Sequence, residues 1–272
     1  MRARVLTALL GGPLLVAAAV AGHLWWAAVV GLLTAVGLAE WYGLARRGLG
    51  VPLPADALFG GGLLVLVVAY IAAEAPVVVP GFGLGAVVFA VVLYALARAA
   101  SMPVRRPLAA GGAVVLGVLY VAGLFGHFLL LRAVEPLGLG LTLLALVGTW
   151  ATDSAAFFTG RTLGGRPLAP AISPNKTVSG AVGGWIGGFA VVLLGGVLLA
   201  AIPLPRALAL AVAIPVFCQA GDLLESALKR EAGVKDSGRL LPGHGGILDR
   251  FDSLLVVIPA VYYLWLFLGY VF

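Results

Sequence analysis

The chain has 272 residues, 62% of them apolar and only 10% charged, with a mean hydropathy of +1.13. A water-soluble domain carries about 25% charged residues, so this composition belongs to an integral membrane protein. Continuous apolar stretches without polar alternation exclude a β-barrel, and the single cysteine, Cys218, excludes an intrachain disulfide.

A helix crosses the hydrocarbon core with roughly 20 apolar residues. On that length the apolar runs predict nine helices, near residues 5–22, 24–44, 56–74, 76–97, 108–131, 135–157, 178–202, 206–230 and 248–271. The expected fold is all-α and polytopic. It forms a single membrane domain, with N-terminal helices over residues 1–134 and C-terminal helices over 135–272 that carry the polar cytoplasmic segments. The first run opens with Arg2 and Arg4 and contains Ala19-Val20-Ala21, which imitates a signal-peptide cleavage site. Because eight further spans follow, it is expected to be retained as an anchor.

Charge placement supports the count, since cytoplasmic loops collect Lys and Arg. With the N-terminus inside, the inner segments hold Arg2, Arg4, Arg46, Arg47, Arg98, Arg105, Arg106, Arg161, Arg166, Lys176, Lys229, Arg230, Lys235, Arg239 and Arg250; only Arg132 and Arg206 fall outside. The C-terminus is then outside, and the polar segments face the cytoplasm from the inner membrane. The net charge of +6 describes topology and contact with anionic membrane lipids; no nucleic-acid motif accompanies it. On the seventh span Gly180, Gly184 and Gly188 recur every fourth residue, a face that lets another helix approach closely, inside the monomer or across a homodimer contact.

The polar chemistry is concentrated late in the chain. Seven of the eleven acids lie between Asp153 and Asp252, and the three lysines, Lys176, Lys229 and Lys235, fall in two inner segments of a chain that otherwise uses arginine. The first segment follows Asp153, a carboxylate at the end of a long apolar run where desolvation is costly, and contains Gly160-Arg161 and Ser173-Pro174-Asn175-Lys176-Thr177. Its cations and hydroxyls suit a phosphate-bearing ligand, although positive-inside bias alone accounts for the arginines. In the second segment Asp222, Glu225 or Ser226, and Lys229 share a helix face at spacings of three and four. Asp249 and Asp252 do the same at the start of the last span. The intervening loop offers glycine backbone donors around His244, Gly245 and Gly246 that can cradle phosphate oxygens. Hard oxygen ligands of this kind suit Mg2+, which arrives with phosphate. The nitrogen and sulfur ligands of a zinc site are missing, as are a serine-nucleophile elbow and a Walker A string. His244 suits either contact with phosphate or bracing of the turn.

The string Ser226-x-x-Lys229-Arg230, Lys235-Asp236, His244-Gly245-Gly246-x-x-Asp249-Arg250-x-Asp252 resembles the signature of the phosphatidate cytidylyltransferases, or CDP-diacylglycerol synthases. The Asp153 string and Ser173-Pro174-Asn175-Lys176-Thr177 resemble a second block of that family, so the motifs cover residues 150–253. One departure is Ser179, where the family usually carries Glu. The resemblance implies transfer of a cytidylyl group from CTP to phosphatidic acid with release of pyrophosphate. It places metal ions on Asp222 and Asp249, the positions that the helix-face reading also selects. Two cations are expected, Mg2+ and a second that could be monovalent. Lys229, Arg230, Lys235 and Arg250 are expected on phosphate oxygens, with Asp153, Asn175 and Lys176 completing the pocket. Asp236 joins the catalytic set, and Ser173, Thr177, Ser226, His244, Gly245, Gly246 and Asp252 the substrate contacts. Two other classes share parts of this pattern. A transporter would use intramembrane acids and broken helices, but no inverted repeat is visible and the acids crowd one boundary. A CTP-using lipid kinase or a prenyl-phosphate transferase would lack the string from Lys235-Asp236 to Asp249-Arg250.

Overall fold

The computed structural model describes residues 2–75, 81–103, 106–238, 240 and 245–271. They form ten α-helices: α1 (Arg2–Ala21), α2 (His23–Leu49), α3 (Ala55–Glu74), α4 (Gly81–Ser101), α5 (Pro107–Gly117), α6 (Leu124–Arg132), α7 (Gly138–Leu163), α8 (Val178–Leu198), α9 (Leu204–Glu231) and α10 (Leu248–Val271). A π-helical stretch, Val118–Gly123, joins α5 to α6, so the expected fifth span is one rod with a wider turn inside it. Each expected span overlaps a helix, residues 76–80 of the expected fourth span lying outside the described residues, and among the described residues seven rods are long and apolar enough to cross a membrane. The chain is an all-α polytopic membrane protein with one addition, a small β-hairpin.

The helix ends correct the expected bounds where terminators decide them. The second helix runs on through Arg46 and Arg47 until Gly50, at φ 64°, closes it with its N–H on the Arg46 carbonyl. The sixth reaches Leu163 instead of residue 157, so Gly160 and Arg161 are helical, and Gly164, at φ 60°, ends it. The seventh stops at Leu198 rather than 202.

The chain divides into two compact units. The first comprises Met1–Ala133 with Lys229–Arg250. Its core contains the fully buried Trp26, Leu58, Phe125, Phe128, Leu131 and Leu248. Buried indoles find acceptors on backbone: Trp26 Nε1 donates to the Phe128 carbonyl at 2.8 Å and Trp41 Nε1 to the Ala113 carbonyl at 2.9 Å. Polar groups gather at the rod ends. Arg132 donates to the Ala19 carbonyl at 2.9 Å and lies 3.3 Å from His23, whose other ring nitrogen lies 3.0 Å from Glu74. Separately, Arg98 and Tyr94 of α4 donate to Asp56 at the start of α3, at 2.7 and 2.9 Å. Helix starts thus meet helix ends, as up-and-down packing requires.

The second unit comprises Val134–Leu228 with Phe251–Phe272. Here α7 and α8 pack along the glycine face. A Cβ at Gly184 would strike Ala156 and the Thr152 carbonyl, and one at Gly188 would strike the Thr152 hydroxyl and Pro215. The stripe is therefore occupied by a neighbour in the same chain. Between α7 and α8 lies the hairpin of β1 (Pro167–Ala169) and β2 (Ser173–Thr177), antiparallel with Pro167 opposite Thr177 and Ala169 opposite Ser173.

Candidate functional site

In the second unit, α9 brings Asp222 and Glu225 to one side. Asp222 is half-buried and forms an ion pair with Lys176 of β2. Ser226, one turn further on, donates to its other oxygen at 3.5 Å. Glu225 is 1% exposed. Asp252, in the first turns of α10, lies within electrostatic reach of Asp222, Glu225 and Asp153. Four acidic side chains thus gather in this unit, and Lys176 pairs with one of them, Asp222. Asp153 accepts the Cys218 thiol at 3.3 Å from an otherwise exposed position on α7.

The remainder of the first polar segment serves structure as well as charge. Thr177 is the N-cap of α8, accepting the Gly180 N–H at 3.0 Å. Ser179 bonds to Thr177 at 3.0 Å and donates to the Gly164 carbonyl, tying the start of α8 to the end of α7. Ser173 is half-buried and Asn175 exposed on β2.

In the first unit, Asp249 is the centre. It is 8% exposed, and each oxygen is occupied. Lys229 donates to Oδ1 at 2.7 Å. Oδ2 accepts the Ser237 N–H at 2.8 Å, the Ser237 hydroxyl at 2.9 Å and the Gly246 N–H at 2.7 Å. Lys229 is itself 9% exposed, so the pair is buried and compensated by several hydrogen bonds, as such pairs must be. Gly245 takes φ 79°, and a Cβ there would strike the Asp249 carboxylate. The Gly246 N–H, expected on a phosphate oxygen, is on Asp249.

Arg230 is exposed and donates to the Val234 carbonyl at 3.2 Å. Lys235, Asp236 and Arg250 are exposed. His244 lies outside the described residues. Two lysines therefore pair with the two aspartates expected to hold metal, Lys176 with Asp222 and Lys229 with Asp249. Of the two alternatives on the Asp222 helix face, Glu225 is buried and Ser226 half-buried. One acid lies outside the motifs read from the sequence: Glu40 of α2 accepts hydrogen bonds from Ser237, Ile247 and Leu248. Nothing local marks Glu40, because its partners are 197 to 208 residues away.

Comparison with known proteins gives the same direction. The phosphatidate cytidylyltransferase of Bacillus subtilis (strain 168) is 46% identical over 155 residues, 56% of this chain and 57% of that protein. The protein of the same name from Brucella suis biovar 1 (strain 1330) is 48% identical over 137 residues, 49% of each chain. That from Staphylococcus saprophyticus is 47% identical over 135 residues, 49% of this chain and 52% of that one. The chain spans about half the length of the curated relatives it matches. The model of the cytidylyltransferase family matches residues 2–268. With the whole bundle covered, and not the acidic segments alone, the chain belongs to the cytidylyltransferase family.

Proposed function

We propose that the chain transfers the cytidylyl group of CTP to phosphatidic acid, giving CDP-diacylglycerol and pyrophosphate. The observation that carries this reading is the pairing of Lys176 with Asp222 and of Lys229 with Asp249, in a chain matched by the cytidylyltransferase family model. A phosphate oxygen of phosphatidic acid attacks the α-phosphorus of CTP, and the bond from that phosphorus to the bridging oxygen breaks as pyrophosphate leaves. The attacking phosphate monoester is already ionised near neutral pH, so the chain needs no general base. Its work is alignment and charge neutralisation.

The donor set fits divalent cations. Among the described residues no three His, Cys, Asp or Glu converge on one closed cage, and Mg2+ uses one or two carboxylates together with substrate phosphate rather than an all-protein shell. Asp222 and Asp249 are the proposed ligands, with Glu225 and Asp252 as neighbouring acids of the first. Bound Mg2+ would supply neutralisation of the triphosphate and the leaving pyrophosphate. Asp222 and Asp249 would hold the cations, and Lys176 and Lys229, now paired with them, would with Arg230, Lys235 and Arg250 hold phosphate oxygens of the substrates. In the structure Lys229 keeps the buried Asp249 carboxylate compensated, and Lys176 neutralises the half-buried Asp222. Asp236, Ser173, Asn175 and the His244 turn remain proposed substrate contacts.

The proposed topology has nine spans, with the N-terminus in the cytoplasm, the C-terminus outside and the acidic helix ends at the inner face. CTP then arrives from water while both acyl chains of the lipid substrate stay in the bilayer. The test is purified protein given phosphatidic acid and CTP carrying label at either the α- or the γ-phosphate. Lipid-borne α-label with γ-label recovered in pyrophosphate supports the proposal. γ-label in lipid would reveal a kinase, and no incorporation in either arm would overturn the reading.

A further inference from the structure

Glu40 sits on α2, far in sequence from every motif described above, yet it is woven into the surroundings of Asp249. Its Oε1 accepts the Ile247 N–H at 2.8 Å. Its Oε2 accepts the Leu248 N–H at 2.9 Å and the Ser237 hydroxyl at 3.0 Å. Ile247 and Leu248 open α10, whose first N–H groups have no partner within the helix. Glu40 supplies that partner from another helix, and its charge is favoured at a helix N-terminus. The backbone makes room for it: a Cβ on Gly238 or on Gly246 would collide with the Glu40 carboxylate. Arg47, two turns along α2, adds a 3.4 Å bond to the Ser237 carbonyl.

The Ser237 hydroxyl lies between two carboxylates, 3.0 Å from Glu40 Oε2 and 2.9 Å from Asp249 Oδ2. Its single proton serves one at a time, so the backbone N–H groups of Ser237 and Gly246 and the Lys229 ammonium hold Asp249 throughout. Those N–H groups keep their places only if Ser237 and the start of α10 stay together.

We propose that Glu40 is a positioning residue: it latches Ser237 and the first turn of α10 to α2 and thereby sets the orientation of the Asp249 carboxylate. The effect on turnover rests on the function proposed above; the latch does not. A glutamine at position 40 must turn its NH2 toward one of two sets of donors, so Glu40→Gln loses at least one acceptor without changing shape.

The experiment combines hydrogen exchange, turnover and a double-mutant cycle on full-length protein in detergent. Glu40→Gln is expected to speed amide exchange at Ile247 and Leu248 at least about tenfold, the signature of a lost local bond. It should lower kcat for CTP about tenfold to a hundredfold, as small misplacements of working groups do. Gly238→Ala should be harmful with Glu40 present and tolerated beside Glu40→Ala, since the side chain it strikes is then gone. Should Glu40→Gln fail to fold, Ser237→Ala, which keeps both backbone bonds to Glu40, is expected to show a smaller change of the same kind. Wild-type exchange in Glu40→Gln, or equal damage by Gly238→Ala in both backgrounds, would overturn the latch. Faster exchange with wild-type kcat would overturn the positioning role. If the wild-type chain itself incorporates no CTP label, the proposed reaction falls, and exchange and the cycle still decide the latch.

Discussion

Asp249 carries more than charge. Four donors converge on its carboxylate, one of them the buried ammonium of Lys229. From sequence alone Asp249→Asn removes a ligand and leaves the fold intact; the structure adds that an amide NH2 must then face an N–H or ammonium donor. Asp249→Asn should therefore abolish turnover and also lower Tm, measured by thermal unfolding in detergent. Lys229→Met strips a buried carboxylate of its cation, a change that costs about 3 kcal/mol or more. Arg106→Gln, at an exposed position before α5, should leave both activity and Tm at wild-type values. A Tm loss for the arginine variant equal to that of the lysine variant would mean that the pair is no more than surface charge.

Among the helices, the length of each apolar run was sufficient to read the rods, because the bilayer fixes how many residues a span needs. Their ends were less legible. Gly50 and Gly164 stop helices through positive φ, and the Arg pair before Gly50 looked like loop although a helix C-terminus favours those cations. The β-hairpin was hidden because three and five residues containing prolines give no alternating pattern. Carboxylate pairs at helical spacing were readable, whereas Glu40 depends on partners brought together only by the tertiary fold. The α7 and α8 contact gives a direct test. Gly188→Val, set against Thr152 and Pro215, should destabilise by about 2 kcal/mol or more. Gly112→Ala on α5, where a Cβ meets nothing within 4 Å, should be neutral or stabilising by up to about 1 kcal/mol. Thermal unfolding of the pair checks this, and equal Tm values would contradict the packing.

For the chain in its membrane, charge bias and the alternation of helix ends predict one sidedness. With Cys218 replaced by Ala, a cysteine at Ala171 in the hairpin turn should react with an impermeant thiol reagent only from the cytoplasmic side. One at Ala201, after α8, should react only from outside. Labelling of both from one side would reject the nine-span reading.

Acids that hold cations for a nucleotide's phosphates are the centre of the proposed function, and the most direct measurement is incorporation of α-labelled CTP into lipid with and without Mg2+, in wild type and Asp222→Asn. The expected result is label in lipid that requires Mg2+ and phosphatidic acid together, and loss of that label in the variant while Tm stays within a few degrees. Equal incorporation after chelation of divalent cations, or full activity in Asp222→Asn, would contradict it.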